Sequence, residues 1–123
     1  MTGVGKSRSY RDLEVWKRSI ALVKDIYEAT SQFPPAENFG LVQQIRRAAV
    51  SIPSNIAEGQ FRNSTKEFKQ FLNISKGSNG EVRSMYYTAE DQKYVTPEIA
   101  NDRRKKTEIL RLKITNFMFY LKK

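Results

Sequence analysis

The 123-residue sequence predicts an all-α protein, an antiparallel up-down-up-down four-helix bundle with a proline-kinked second helix. Three observations support this prediction. Apolar side chains recur at alternating steps of three and four in four long segments, which is the period of one helix face. No segment of useful length shows the alternation of apolar and polar residues that is typical of a strand. The connections between the four segments are short, so neighbouring helices must run antiparallel.

The first helix is predicted in residues 10–32, YRDLEVWKRSIALVKDIYEATSQ. The face that we expect to be buried carries Leu13, Trp16, Ile20, Val23, Tyr27 and Thr30. Val15, Leu22 and Ile26 widen this face, as expected for a helix that packs against more than one neighbour. Ser9, followed by Asp12, is a candidate cap at the start. The prolines of SQFPP end the helix because proline cannot continue it.

The second helix is predicted to begin near Pro35 or Glu37, since proline is well tolerated in the first turn. Its expected buried positions are Leu41, Ile45, Ala48, Ile52 and Ile56. The segment 46–59, RRAAVSIPSNIAEG, contains Pro53. Proline has no N–H to donate to the carbonyl of residue 49, so we expect a continuous but kinked helix here.

Small residues around this kink predict a close contact between the second and third helices. Ala48, Ala49 and Ala57 allow a neighbouring helix to approach. The residues expected to form that neighbour are Ser75, Gly77 and Ser78. Asn55 and Glu58, polar groups beside the bend, are the residual functional candidates of this segment.

The two remaining helices carry clear start signals. Ser64 and Glu67 are spaced as a capping box at the start of the third helix. Thr96 is a candidate N-cap of the fourth helix, with Pro97 at its first position. The expected buried positions of the third helix are Phe68, Phe71, Leu72, Ser75, Ser78, Val82, Met85, Tyr86 and Ala89. Those of the fourth helix are Thr107, Leu110, Ile114, Phe117 and Leu121.

The composition limits the classes of function. The chain has no cysteine and no histidine, which removes disulfides, thiolate and imidazole ligands, cysteine nucleophiles and the commonest general base. We expect no cofactor and no metal site, since only Glu58 and Glu81 sit near the apolar stripes. No apolar run is long enough to span a bilayer and the first residues lack an apolar signal region, so we expect a cytoplasmic protein without a membrane partner. These features favour a binding or assembly protein over an enzyme.

Residues 1–9 are expected to form a disordered basic N-terminus, and residues 10–123 a single four-helix-bundle domain. The GVGKS string at 3–7 resembles the tail of a phosphate-binding loop, but the full motif needs an earlier glycine and a preceding strand. The NST and NIS strings match the glycosylation acceptor, yet nothing suggests secretion, and the Ser64–Glu67 capping box explains the first one better.

The formal net charge of +9 is concentrated at the two ends of the chain. Residues 1–11 carry three basic residues and no acid, and residues 103–123 carry eight basic residues and one acid. In an up-down bundle the termini meet, so Arg8, Arg11, Lys122 and Lys123 are expected at one end. The residues predicted to bind nucleic-acid phosphates at the other end are Arg46, Arg47, Arg103, Arg104, Lys105 and Lys106. Four consecutive basic residues point all round a helix, so at most two of the 103–106 run can share a surface.

Two strings carry a family resemblance: DLEVWKRSIALVKDIYEATSQFP and GLVQQIRRAAVSIPSNIAEGQFRNSTKEFKQFLNISKGS. The sequence resembles the four-helix-bundle family of ribosomal-RNA intervening-sequence proteins. The resemblance implies an up-down bundle, a ring-shaped homopentamer and no established enzymatic activity. The chain is more distantly similar to the accessory protein of diversity-generating retroelements, a pentamer that binds a reverse transcriptase and nucleic acid. One departure is that Asn79, Gly80 and Arg83 stand where the family typically has larger apolar residues.

Two functional hypotheses follow. The first is a non-enzymatic, homo-oligomeric, ring-like protein that binds RNA or DNA by neutralising phosphate charge through basic end surfaces. The alternative is a structural or adaptor protein that binds a protein partner such as a polymerase or reverse transcriptase. In that case the apolar residues left exposed by the bundle matter more than the arginines, and we expect Val15, Leu22 and Tyr87 among them. An enzyme is the weakest hypothesis, because histidine, cysteine and a complete phosphate loop are all missing.

Overall fold

The computed structural model describes residues 9–121. Over this range the chain forms four α-helices and no strand, with two short 3-10 turns at Tyr10–Asp12 and Pro35–Glu37. The α-helices are α1 (Glu14–Thr30), α2 (Leu41–Phe61), α3 (Thr65–Asp91) and α4 (Pro97–Tyr120). Each helix packs against the next one in sequence, and α4 packs against α1 to close the bundle. The four-helix-bundle prediction is therefore confirmed, while residues 1–8 and the GVGKS string lie outside the described residues.

The core is formed by the apolar stripes that the sequence predicts for α2, α3 and α4. Its fully buried side chains include Ile45, Ile52, Ile56, Leu72, Val82, Tyr86 and Ile114. Burying large aliphatic side chains of this kind stabilises a fold by about 1.5 to 3 kcal/mol each.

The buried face of α1 differs from the predicted one. Val15, Ser19, Leu22 and Ile26 are buried, whereas Ile20 remains 40% exposed. The row of Val15, Leu22 and Ile26, which was expected only to widen the buried face, is thus the centre of that face. Its serine made this row look polar, but Ser19 Oγ donates to the carbonyl of Trp16, which satisfies the hydroxyl inside the core.

The predicted helix starts are correct for α3 and α4 but not for α1 and α2. Ser64 Oγ accepts from the N–H of Glu67, and Thr96 Oγ1 accepts from the N–H of Ile99, so both predicted caps are confirmed. Ser9 instead caps the 3-10 turn before α1.

The predicted start of α2 near Pro35 or Glu37 is wrong, because those residues form a 3-10 turn. Glu37 still acts on α2 from outside, since its Oε1 accepts from the N–H of Leu41 at 3.1 Å. That bond, followed by one from the Tyr94 hydroxyl, lowers the pKa of Glu37.

The α2 helix continues through Pro53, which lies in its interior and is buried. Asn55 Nδ2 donates to the carbonyl and to Oγ of Ser51, both at 2.9 Å. Asn55 therefore bonds its own helix beside the proline, and Glu58 pairs with Arg62 at 2.9 Å. These contacts give both residual functional candidates a local role in α2.

The predicted close contact between α2 and α3 is present. Ser75 Oγ donates to the carbonyl of Ile52 at 2.9 Å, and Ser78 Oγ donates to Ser51 Oγ at 2.8 Å. Gly77 was expected in the same contact, but it has no atom within 4 Å of the position a Cβ would take. Of the three small residues predicted on α3, Ser75 and Ser78 therefore make the contact, whereas Gly77 lies on another side of the helix.

Candidate nucleic-acid interface

The six basic residues predicted to bind nucleic acid lie on two helices at opposite corners of the bundle. Arg46 and Arg47 belong to α2, and the run from Arg103 to Lys106 belongs to α4. Among residues 9–121, no Cα atom of α2 lies within 8 Å of a Cα atom of α4. The six residues therefore fall into two groups, one on each helix.

Arg46 is bound to the end of α1. Its Nε donates to Thr30 Oγ1 at 2.8 Å, and its Nη2 donates to the carbonyl of Tyr27 at 3.2 Å. The guanidinium also lies over the Tyr27 ring, 4.3 Å from the centroid. Its neighbour Arg47 is exposed, and it has no ion pair with any other described residue.

The side chains of Arg103 and Arg104 are largely buried and form ion pairs within the chain. The Arg103 side chain is only 16% exposed and pairs with Asp102 at 2.6 Å. The Arg104 side chain is 9% exposed and pairs with Glu90 at 2.9 Å. Arg104 also lies over the Tyr87 ring at 4.1 Å, so its charge is satisfied between α3 and α4.

The lysines of the run differ from one another. Lys106 Nζ bonds Asp25 of α1 at 2.7 Å and Asp102 at 3.3 Å. The bond to Asp25 is the main reason why the pKa of Lys106 is raised. Lys105 is exposed and has no ion pair within the described part of the chain. Arg47 and Lys105 are thus the two predicted residues whose charge is most available to a ligand.

Sequence reasoning missed a set of cations on α3. Lys66, Lys69, Lys76 and Arg83 lie on this helix, and none of them is buried. The signal was present in the sequence, since 69, 76 and 83 are spaced by seven residues and must share a face.

Residues 9–121 contain neither a candidate metal site nor a candidate membrane-spanning helix. No group of three or more acidic side chains comes close enough together to hold a metal ion. No helix in this range is both long enough and apolar enough to cross a membrane.

A closed ring of four helices with a hydrophobic interior and a cation-rich exterior defines a basic four-helix-bundle protein. The model of the 23S rRNA-intervening sequence protein family matches residues 11–116. The chain belongs to this family. No curated protein matches it significantly.

A solved structure supports the fold. A crystal structure of a protein with unknown function from the S23 ribosomal protein family of Bacteroides thetaiotaomicron superposes with a TM-score of 0.77. The two chains are 20% identical, and the match covers 85% of this chain and 94% of that one. At this identity the likeness establishes the shared bundle.

Proposed function

We propose that this chain is a cytoplasmic, non-enzymatic, homo-oligomeric protein that binds RNA or DNA through its basic surfaces. The observation that carries the proposal is the excess of exposed cations without a carboxylate partner. Among the described residues, the cations of α2, α3 and α4 that make no ion pair include Arg47, Lys66, Lys69, Lys76 and Lys105. A surface with this imbalance attracts a polyanion.

The mechanism is neutralisation of phosphate charge. Lysine and arginine side chains displace the counterions condensed on the nucleic acid, and their release drives binding. Such contacts fix the position of the backbone but do not read the bases. We therefore expect weak dependence on base sequence and steep weakening with salt.

The test is a gel-shift series with RNA and DNA over increasing salt concentration. Arg47→Gln combined with Lys105→Gln removes two charges and should flatten the salt dependence by about one unit of slope for each phosphate that is no longer neutralised. Lys17→Gln combined with Lys24→Gln is the control, because it makes the same charge change on α1. Absence of any complex at low salt would refute nucleic-acid binding.

Self-association is supported by an apolar surface on the α1–α2 side. Tyr27, Phe39 and Val50 line one depression there, and Phe39 is 92% exposed. Near the other end of α2, Phe61 is 75% exposed and packs edge-on against Tyr10. Exposed aromatic side chains of this kind mark interaction surfaces, and a second copy would cover them in a ring such as the family resemblance implies.

Light scattering on a size-exclusion column tests this assembly. The expected mass is that of a homopentamer, and Phe61→Glu should lower it by placing a charge in the contact. Phe119→Glu is a matched control, because Phe119 is 76% exposed on α4. A wild-type mass of one chain would contradict the assembly.

An adaptor that binds another protein is the second candidate. The expectation that Val15 and Leu22 are exposed is wrong, since they are 4% and 3% exposed. The apolar residues on the α1–α2 side supply the surface that such a partner would need. A monomeric wild type that binds no nucleic acid would favour this candidate.

A further inference from the structure

A regular row of side chains runs along the outside of α3. It consists of positions spaced by four and three residues, which an α-helix places on one face. We call it the α3 outer row, and its members are Lys69, Asn73, Lys76, Gly80, Arg83 and Tyr87. None of them is buried, so this row is separate from the stripe that forms the core.

Contacts place the α3 outer row at the groove between α3 and α4. Arg83 Nη1 donates to the carbonyl of Arg104 at 3.0 Å and lies 3.8 Å from Glu108 Oε1. Glu108 also accepts from Arg111 at 2.6 Å, which brings a further cation to the groove. The Arg83 end of the row therefore borders this groove, and helical periodicity places Lys69 and Lys76 on the same face of α3.

The groove carries more positive than negative charge. The carboxylates that pair with its cations are Glu90, which pairs with Arg104, and Glu108, which is shared by Arg83 and Arg111. Lys69 and Lys76 have no carboxylate partner in the described chain and remain partly exposed. Two free cations and one shared carboxylate leave the middle of the groove positive.

The spacing of these cations suits an extended polyanion. Seven residues of helix rise by about 10.5 Å, so Lys69, Lys76 and Arg83 lie on a straight line about 21 Å long. Gly80 lies between Lys76 and Arg83 and has no atom within 4 Å of the position a Cβ would take. This part of the line is thus flat, and a ligand backbone meets no side chain at Gly80.

An aromatic ring stands at the end of this line. Tyr87 lies one helical turn beyond Arg83 and is 53% exposed. The guanidinium of Arg104 covers the ring at 4.1 Å, while the exposed half remains open to solvent. An exposed ring beside cations stacks on an unpaired base.

We propose that the α3 outer row binds a single-stranded nucleic acid, with phosphates along Lys69, Lys76 and Arg83 and a base stacked on Tyr87. This inference rests on the proposed function and gives it a location and a substrate class. A duplex keeps its bases stacked inside, so only a single strand uses both the cations and the ring. RNA and DNA share this chemistry and are separate arms of the test.

The first experiment is fluorescence anisotropy of the full chain with labelled single-stranded RNA, single-stranded DNA and duplex DNA. Lys69→Gln combined with Lys76→Gln should weaken single-strand binding at least tenfold and flatten the salt dependence by about 1.4 units of slope. The control is Lys17→Gln with Lys24→Gln, which should change binding less than twofold. Equal losses in both variants would overturn the inference.

The second experiment examines the ring. Tyr87→Leu should weaken binding of single strands by about 5-fold to 150-fold and leave duplex binding unchanged. Tyr87→Phe should retain the wild-type affinity, because phenylalanine keeps the stacking surface. Equal losses on duplex and single strand, or equal losses in the Leu and Phe variants, would overturn the role of the ring. Circular dichroism of each variant confirms that the helices persist.

The outcomes separate the two proposals. Absence of binding by the wild-type chain refutes the proposed function itself. Binding that falls in Arg47→Gln with Lys105→Gln, but not in the row variants, keeps the function and refutes the α3 outer row. Displacement of RNA by polyglutamate as readily as by polyuridylate would also refute the row, because it would show a surface that responds to charge alone.

Discussion

The two sides of α3 are built in opposite ways. Toward α2 the helix presents small side chains that reach only as far as the neighbouring backbone, as Ser75 does to the carbonyl of Ile52. Toward α4 it presents long polar ones, such as Arg83, which reaches the carbonyl of Arg104. Short side chains let two helices approach closely, whereas long ones span a wider separation. The first side therefore holds α3 tightly against its neighbour, and the second side carries the cations.

Asn79 links α3 to α4 through a hydrogen bond to the backbone. Its Nδ2 donates to the carbonyl of Thr107 at 2.8 Å, and it is 2% exposed. Its Oδ1 is buried and has no hydrogen-bond partner among the described residues, so this amide links the two helices at a cost in stability of about 1 to 3 kcal/mol. Asn79 thus ties α3 to α4 at a defined position along the two helices.

The largest expected effect comes from removing packing on the α2 side. Ile52 is fully buried beside Pro53, so Ile52→Ala should lower the free energy of unfolding by about 2 to 5 kcal/mol. Urea unfolding monitored by circular dichroism measures this. Ile74→Ala is the control, because Ile74 is 50% exposed and should change stability little. Similar decreases in the free energy of unfolding for both variants would show that Ile52 stabilises the protein no more than an exposed isoleucine does.

The next effect concerns Tyr86, a core residue of α3 near Arg103. Burial raises its pKa to about 12, opposed by the positive charge of Arg103. Above pH 10 the unfolded chain loses the phenolic proton while the folded chain keeps it, so stability falls as the pH rises from 10 towards 12. The decrease approaches about 2 to 3 kcal/mol.

Tyr86→Phe isolates this effect. The hydroxyl has no hydrogen-bond partner among the described residues, so the variant should be at least as stable as the wild type at pH 7. Thermal unfolding at pH 7, 10 and 11.5 should then show a smaller alkaline decrease in the variant. Parallel curves for the two proteins would show that the tyrosine does not control the alkaline decrease.

A glycine of α2 tests the closeness of the α2–α3 contact. A Cβ on Gly59 would lie 2.8 Å from Cδ1 of Phe68 and 2.8 Å from Cβ of Phe71. Gly59→Ala should therefore destabilise the protein by about 1 to 3 kcal/mol, although alanine is the better helix former. Denaturant unfolding measures the difference, and an unchanged midpoint would show that the two helices move apart without cost.

The sequence predicts the stripes of α2, α3 and α4 well, because large aliphatic residues mark their buried faces. It fails on α1, where Ser19 is buried and hydrogen bonded to its own helix while Ile20 is 40% exposed. A serine in a core and a serine on a surface look alike in one sequence. The burial of Arg104 escapes the sequence for a related reason, since its pairing with Glu90 depends on contacts between helices. Helical periodicity alone would have revealed the α3 outer row.

The smallest expected effect is an increase in stability, opposite in sign to the effect of Gly59→Ala. It concerns Gly80, on the other side of α3. Gly80 has open space around it, so Gly80→Ala should stabilise the protein by about 0.5 to 1 kcal/mol through better helix propensity. The same methyl group stands in the line of Lys76 and Arg83, so single-strand binding should weaken while stability rises. Thermal unfolding and anisotropy on one sample measure both. A variant that is more stable and binds equally well would mean that a ligand does not approach the backbone at Gly80.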